Sequence, residues 1–402
     1  MPILTRRLLF LLFLLSSFVF IEPSPFDIFF AFTLIFAIAA GHLHFSSRLT
    51  IVWILITLYV ITSLVSLINA DDLEIGLRFF GINLYLCILM LFISVLIDTY
   101  GYEPIEIIFK SITCSILISV ILSLAGFFDV LPIRELIAPL DRLKGFFKDP
   151  NVFGPAVEVA LMYVYYKINS TKAKRLRNII IIIPLALAVL LAYSRAGWLA
   201  LVLSLICYSF FITFQSRSKT AMLKFIFSVF GFIFIAGLSW IIADAAGLTE
   251  LAKQRFALQS YDEDRFMVQR ILFEKSFDYI LGAGPGQSEV YLGTFYNNIE
   301  GSNSAQQTLL RIFFENGFPG ALVFSLFLCY LCFLSLKISL SKWQFSGISA
   351  VVSSLFYGML LCSIVVDTLH WRHFWVIAGM ICGLYILYSR RNSTYEKTGM
   401  VV

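Results

Sequence analysis

Residues 281–320, LGAGPGQSEVYLGTFYNNIEGSNSAQQTLLRIFFENGFPG, are the second half of a polar segment in an otherwise apolar chain. The whole segment covers residues 247–320, carries charges of both signs and ends in a Gly-Phe-Pro-Gly turn. The sequence on both sides of it is apolar enough to lie in lipid. A membrane protein with one large polar loop usually carries its functional groups there, so this segment predicts both the fold and the location of the site.

The composition excludes an ordinary soluble domain. Of the 402 residues, 59% are hydrophobic and 14% are charged, whereas soluble domains carry roughly 25% charged residues. Charge-free runs of about 18 residues or more recur along the chain, which is the pattern of membrane-spanning helices. We therefore expect an all-α polytopic membrane protein. The seven cysteines lie inside apolar runs and are expected to be packing residues rather than disulfide partners.

Hydropathy predicts about twelve transmembrane helices and one large external loop that contains amphipathic helices. The predicted spans are residues 8–21, 25–41, 49–69, 77–97, 105–128, 152–168, 178–193, 197–215, 222–246, 317–336, 346–366 and 371–388. This divides the chain into nine spans within residues 1–247, a catalytic loop at 248–316, and three spans with a cytoplasmic tail at 317–402. The apolar run near the N-terminus could pass for a signal peptide, but it lacks a small-x-small cleavage pattern and is interpreted as a retained first span.

The distribution of lysine and arginine predicts the orientation. With twelve spans, most short basic connections fall on one side, which the positive-inside rule assigns to the cytoplasm. Both termini would then be cytoplasmic, and the long loop would lie on the periplasmic or external face. Arg195 breaks this bias, because it is a lone arginine in a tight external turn. It either snorkels to lipid phosphates or holds an anionic ligand through its planar guanidinium.

Two helices are expected in the external loop. Residues 264–277 have helical spacing, with Phe266, Arg270 and Phe273 on one side and Val268, Ile271 and Leu272 near it. This predicts an amphipathic helix at the interface or against the bundle. A solvated charged face is the alternative. Residues 305–320 predict a second helix that Gly317 and Pro319 terminate. The glycines at 282–286 between them predict a tight turn or a close backbone approach to a ligand.

Four segments, in this order, resemble the O-antigen ligase and polymerase superfamily, the bacterial surface-glycan enzymes often called WaaL and Wzy. Residues 145–154 (GFFKDPNVFG) are similar to the family's G-x-F-x-x-P-N motif, and residues 193–200 (YSRAGWLA) resemble its S-R-x-x-W-L-A turn. Residues 265–286 resemble the family's pattern of an arginine, an amphipathic helix and an L-x-G-x-G-x-G turn. Residues 305–320 resemble the H-N-x-x-L-x-x-x-x-E-x-G-x-x-G helix. The resemblance covers residues from about 140 to 388.

The resemblance implies a GT-C-like fold and four catalytic positions: Arg195, Arg265, Gln306 and Glu315. Further positions implied or expected to bind substrate are Arg142, Lys148, Asn151, Arg270, Gly284, Gln307, Arg311, His370 and Arg372. Structural roles stay open for some of these: Glu315 could pair with Arg311 at i, i+4, and His370 and Arg372 could anchor the last span at the interface.

Gln306 departs from the family pattern, which has a histidine at this position. A glutamine can orient a hydroxyl group but cannot accept its proton. The candidates for another base are Glu315, Asp149 and His370; alternatively, positioning and phosphate departure carry most of the rate, or activity is impaired.

The implied reaction is metal-independent glycosyl transfer, without a cofactor, from an undecaprenyl-pyrophosphate-linked glycan to an acceptor sugar hydroxyl. The protein would be a repeat-unit polymerase of O-antigen or capsule in the bacterial inner membrane, and a ligase that uses lipid A-core as acceptor is the alternative. The expected partners are the lipid-linked donor, the acceptor glycan or lipid A-core, membrane lipids and a chain-length regulator, with no nucleic acid. The rival from another class is a transporter of lipid-linked oligosaccharide, which usually has internal repeats.

Overall fold

The computed structural model describes residues 1–41, 46–139, 142–216, 223, 260–295 and 305–398. These residues form helices and connecting segments, and no strand occurs among them. The helices are α1 (Ile3–Leu14), α2 (Pro25–Ala39), α3 (Thr50–Ser66), α4 (Leu73–Tyr100), α5 (Glu103–Phe127), α6 (Arg134–Ile137), α7 (Pro150–Ser170), α8 (Arg175–Leu191), α9 (Arg195–Ser216), α10 (Ser260–Ser276), α11 (Gln287–Phe295), α12 (Thr308–Leu340), α13 (Ser346–Val365) and α14 (Arg372–Thr398). The expectation of an all-α fold is confirmed for these residues.

Six helical stretches in the described part of the chain are long and apolar enough to cross a membrane. They are Ser47–Asn69, Leu73–Tyr100, Glu103–Phe127, Arg195–Ser216, Thr308–Leu340 and Ser346–Val365. The chain is therefore membrane-embedded, while the count of twelve spans, the large external loop and the orientation stay predictions. The predicted span at 222–246 lies outside the described residues except for residue 223.

The outer surface of the helices supports a lipid environment. Phe32 on α2, Leu58 on α3, Phe210 on α9 and Leu326 on α12 are each 42–58% exposed. The opposite faces of the same helices are buried in the bundle. Large apolar side chains that point outward along several helices need an apolar solvent, which the hydrocarbon core of a bilayer supplies.

The core of the bundle is built from neighbouring helix pairs. Helix α4 lies along α14, α9 along α13, α3 along α12 and α7 along α8. Trp375 on α14 is fully buried, its ring stacks on Phe327 with centroids 6.2 Å apart, and its indole N–H donates to the carbonyl of Leu369 at 2.7 Å. A buried tryptophan needs such a partner, and this bond fixes the segment that precedes α14.

The first helix differs from its predicted limits of 8–21, because α1 ends at Leu14. Ser17 leaves the helix and makes a 2.6 Å hydroxyl–hydroxyl contact with Ser115 on α5. The amide of Val19 then donates to the carbonyl of Phe146 at 3.0 Å. The apolar run therefore continues past the helix, but its backbone bonds to other parts of the bundle.

Candidate functional site

Several helix ends meet beside the glycine-rich loop, residues 282–286. Asn69, after α3, donates its side-chain N–H to the carbonyl of Gly282 at 2.9 Å. Gln287, at the start of α11, exchanges two hydrogen bonds with the backbone of Asp72, which caps α4. The loop is thus fixed to the end of the bundle at which α3 ends and α4 begins.

The glycine-rich loop bonds to a kink in α12. Gly317 is non-helical there (φ 69°, ψ −174°), and Pro319 has no N–H to donate. The carbonyls of Phe314 and Glu315 instead accept from the amides of Ala283 and Gly284, each at 2.9 Å. These glycines therefore allow a close approach to α12, and the Gly284 amide already donates within the protein. The predicted approach to a ligand stays a prediction.

Glycine is required on both sides of this contact. A Cβ on Gly282 would lie 2.3 Å from the carbonyl oxygen of Glu315, and one on Gly317 would lie 2.2 Å from that of Ile280. Both residues also have φ values in the left-handed region, 91° and 69°. Larger side chains would separate the two backbones and move the segment that carries Glu315.

Arg311, six residues before Gly317 at the kink, forms a buried ion cluster. Its guanidinium is 2% exposed and lies 3.0 Å from Glu315, 2.9 Å from Asp367 and 3.3 Å from Glu289. The predicted i, i+4 pairing of Arg311 with Glu315 is therefore confirmed. The hydroxyl of Ser288 also donates to Glu315. Permanently charged arginine suits this position because its planar fork serves several carboxylates at once.

Arg311 also joins the loop to the helices on either side. Glu289 belongs to α11, Glu315 to α12, and Asp367 to the segment between α13 and α14. The Asp367 segment is further held by Thr308, whose hydroxyl accepts from the amide of Thr368 at 2.8 Å. The cluster therefore fixes the relative positions of the three elements.

A cavity of about 740 Å³ lies next to this cluster, between α1, α2, α4, α5, α7, α11 and α14. Its charged lining residues stand near helix ends, as with Arg78 in the early part of α4 and Arg372 at the start of α14. Apolar lining residues such as Leu86 and Ile112 lie near the middle of their helices. The cavity is therefore polar at the end of the bundle and apolar toward its interior, which suits an amphipathic ligand.

Charged side chains at the polar end of the cavity are arranged in pairs. Arg372 lies 2.7 Å from Asp27, which also accepts from the hydroxyl of Tyr85 at 2.7 Å. Glu22 bridges two exposed basic groups, with Lys148 at 2.6 Å and Arg78 at 3.3 Å. The structure therefore places predicted residue Arg372 in the cavity lining and Lys148 beside lining residue Glu22.

Two titratable side chains line the cavity close to Arg311. Burial and the nearby Arg311 charge lower the pKa of His370 to about 3, against the opposing effect of Asp367. Neutral His370 lies 3.2 Å from the amide oxygen of Asn83 through its Nε2. Burial raises the pKa of Glu289, Arg311 opposes that rise, and Glu315 adds to it. The carboxylate is therefore the stronger proton acceptor of the two near neutral pH.

Arg195 begins α9 at a turn that is held by other residues. Arg142 donates to the carbonyls of Ala192 and Tyr193, each at 3.3 Å, and to the side-chain oxygen of Asn151 at 3.1 Å. Arg142 and Asn151 thus support the turn. Their contact with substrate stays a prediction. Arg195 itself is half-buried.

The start of α9 lies at the same end of the bundle as Arg311. The Cys362 thiol, near the end of α13, is 3.6 Å from the carbonyl of Ala196. The next residue, Ser363, shares a 2.6 Å hydroxyl contact with Thr368 just after α13, and Thr368 bonds to Thr308 at the start of α12. These contacts put the Arg195 turn and the start of α12 beside the same end of α13.

Helix α10, which carries Arg265, also adjoins α12. Val268 and Leu272 are buried in a small cluster with Phe314. On the same helix, Phe266 and Phe273 are 64% and 51% exposed. The helix has apolar residues on two sides, so that one side packs against the protein and the other is left for the membrane interface.

The other predicted residues on α10 and α12 have defined positions. Arg265 is half-buried, whereas Arg270 is exposed and pairs with Glu274 at 2.8 Å. Gln307 caps α12 by accepting from the amide of Leu310 at 3.1 Å, and Gln306 is half-buried beside it. A common pocket for Arg195 and Arg265 stays a prediction.

The sequence reasoning did not single out Glu289, Asp367 and Asp27. Each carries a weak signal: Glu289 follows the glycine-rich turn, Asp367 precedes His370 in a polar connection, and Asp27 stands in a helix-capping position. Their importance depends on contacts with arginines distant in sequence, which a single sequence does not reveal. The chain matches no protein-family model, and it matches no curated protein significantly.

Proposed function

We propose that this protein is a membrane glycosyltransferase that moves a glycan from a polyprenyl pyrophosphate, of the undecaprenyl type, to the hydroxyl of an acceptor sugar. The observation that carries the proposal is the cavity, because it combines an apolar interior with a charged end beside the buried Arg311 cluster. A lipid-linked, anionic sugar has the same two-part character. The resemblance of the four sequence segments supports the same chemistry.

Arg195 and Arg265 are the proposed binding groups for the pyrophosphate. Both are half-buried, and their helices adjoin the α12–α13 end of the bundle. Guanidinium groups stabilise the negative charge that develops on a departing phosphate, and they do so best in a partly dehydrated site. The transfer would need no metal ion, because two arginines supply the positive charge.

The acceptor is proposed to be another lipid-linked repeat unit, which makes the protein a polymerase. The test is reconstitution of the purified protein in liposomes that contain one lipid-pyrophosphate-linked repeat unit, followed by gel or mass analysis of the glycan. Elongated lipid-linked product supports polymerase activity. Product that forms only after lipid A-core is added identifies a ligase and contradicts the choice of acceptor. Movement of the lipid-linked unit across the bilayer without any new glycosidic bond would overturn the transfer proposal.

A further inference from the structure

Glycosyl transfer to a hydroxyl group needs a destination for the hydroxyl proton, and Gln306 cannot supply it. The described residues at this end of the bundle offer few alternatives. Glu315 has no exposed surface and is paired with Arg311. Asp149 caps α7 by accepting from the amide of Asn151 at 2.7 Å. His370, with its pKa near 3, is too weak a base.

Glu289 is placed differently from each of these groups. Its side chain is 37% exposed and lines the cavity, so a ligand in the cavity could reach it. Among the described residues it is held by Arg311 alone, through a 3.3 Å bond from Nη2 to Oε1. The other carboxylate oxygen remains to accept a proton.

The setting of Glu289 is preorganised by the ion cluster. Glu315 and Asp367 hold the Arg311 guanidinium in place, and the guanidinium in turn orients the Glu289 carboxylate. A base works best when its pKa lies near the working pH, and burial shifts Glu289 in that direction. The charged or titratable groups that contact its cluster or line the same cavity are Arg311 and Glu315 on α12, Asp367 and His370 before α14, Glu22 before α2 and Asp27 at its start, Arg78 and Tyr85 on α4, and Arg372 and His373 on α14.

From this geometry we propose that Glu289 is the general base of the reaction and that the acceptor sugar binds in the cavity with its attacking hydroxyl against this carboxylate. The inference rests on the proposed glycosyl transfer. The hydroxyl oxygen forms the new bond to the anomeric carbon, and its proton passes to Glu289. The bond from the anomeric carbon to the pyrophosphate oxygen breaks, and the electron pair leaves with the diphosphate. Glu289 then releases the proton to water through the cavity.

The test compares Glu289→Gln, Glu289→Asp and a matched control, Glu74→Gln, in the reconstituted transfer assay. Glu74 is an exposed carboxylate in the first turn of α4. Glutamine can still accept the bond from Arg311, so Glu289→Gln should keep a KM for the lipid-linked repeat unit close to that of wild type. We expect its kcat to fall about 100- to 10,000-fold, and the fall in rate on the acidic side of the pH profile to disappear. The Asp variant should keep an acidic limb at reduced rate, and the control should match wild type.

Wild-type kcat and pH profile in Glu289→Gln would overturn the role of Glu289. That result would leave the transfer proposal intact as long as the wild-type protein forms product. Absence of product from wild-type protein would instead contradict the proposed function. If Glu289→Gln does not fold, Glu289→Asp decides: a wild-type kcat and an unshifted acidic limb would count against the base, and a slower rate with a shifted limb would support it.

Discussion

Arg311 and Asp367 form a 2.9 Å ion pair between α12 and the segment that leads into α14, and the arginine side chain is 2% exposed. The same guanidinium contacts Glu315 and Glu289, so one buried positive charge serves three carboxylates. Buried charges are stable only when they are paired. Both the stability of this end of the bundle and the position of Glu289 therefore depend on Arg311.

Replacement of Arg311 by methionine should strongly destabilise the protein. The change keeps much of the side-chain volume but leaves Glu315 and Asp367 buried without their partner, which costs about 3–5 kcal/mol for a buried pair. The measurement is the thermal unfolding midpoint in detergent. Lys275→Ala is the control, since Lys275 is an exposed residue paired with Asp278, and its loss should cost less than about 1 kcal/mol. Equal midpoints for the two variants would contradict the structural role of Arg311.

Alanine at Gly317 or Gly282 should disrupt the contact between the glycine-rich loop and α12. Each added Cβ would lie within 2.3 Å of a backbone carbonyl oxygen, and each residue has a positive φ. Strain of this backbone type alone costs about 1–3 kcal/mol. Gly293→Ala is the matched control, because no atom lies within 4 Å of a Cβ at that position. Unfolding midpoints should fall for the first two variants and stay near wild type for the third; a fall of the same size in all three would contradict the contact.

The Asp27–Arg372 pair should be energetically coupled, whereas the Glu22–Arg78 pair should not. The first pair is 20% and 19% exposed, and the second is 47% and 65% exposed. A double-mutant cycle with Asp27→Asn and Arg372→Met should give a coupling of about 1–3 kcal/mol. The equivalent cycle at the exposed pair should give less than about 1 kcal/mol because water screens it. A larger coupling at the exposed pair would show that the assignment of these pairs is wrong.

His370 should not titrate in the physiological range. Its pKa of about 3 keeps the imidazole neutral between about pH 5 and 8, so a His370→Asn variant should show the same pH dependence of transfer as wild type. Glu289 should titrate: its carboxyl group loses its proton as pH increases, and activity rises with it. Its raised pKa moves this rise to higher pH than for an ordinary glutamate. The pH–rate profiles of His370→Asn and Glu289→Gln, compared with wild type, test this. Loss of the acidic limb in His370→Asn would show that His370, and not Glu289, causes this limb.

The six long apolar helices found among the described residues could be predicted from the sequence, because a bilayer imposes long apolar runs on the chain. The helical spans and the i, i+4 pair of Arg311 and Glu315 both follow from spacing along one helix. The partners Asp367 and Glu289 could not be predicted in this way. They lie 56 and 22 positions from Arg311, and the fold alone brings them to it.

Two local patterns predicted a type of structure but did not specify which part of the protein it would contact. Glycines at 282, 284 and 286 indicate a close backbone approach, and the approach is made to the kink in α12. Helix α10 was expected to lie at the interface or against the bundle, and it buries Val268 and Leu272 while Phe266 and Phe273 stay exposed. A sequence with apolar residues on two sides of a helix does not specify which side meets the protein.

The central claim is that Arg195 and Arg265 stabilise a departing pyrophosphate during glycan transfer. The most direct measurement is the transfer rate of the reconstituted protein with a lipid-pyrophosphate-linked repeat unit, in wild type, Arg195→Ala, Arg265→Ala and the control Lys275→Ala. We expect each of the two arginine variants to lose about 100-fold or more in kcat, with the control at the wild-type rate. Full transfer activity in both arginine variants would contradict the mechanism.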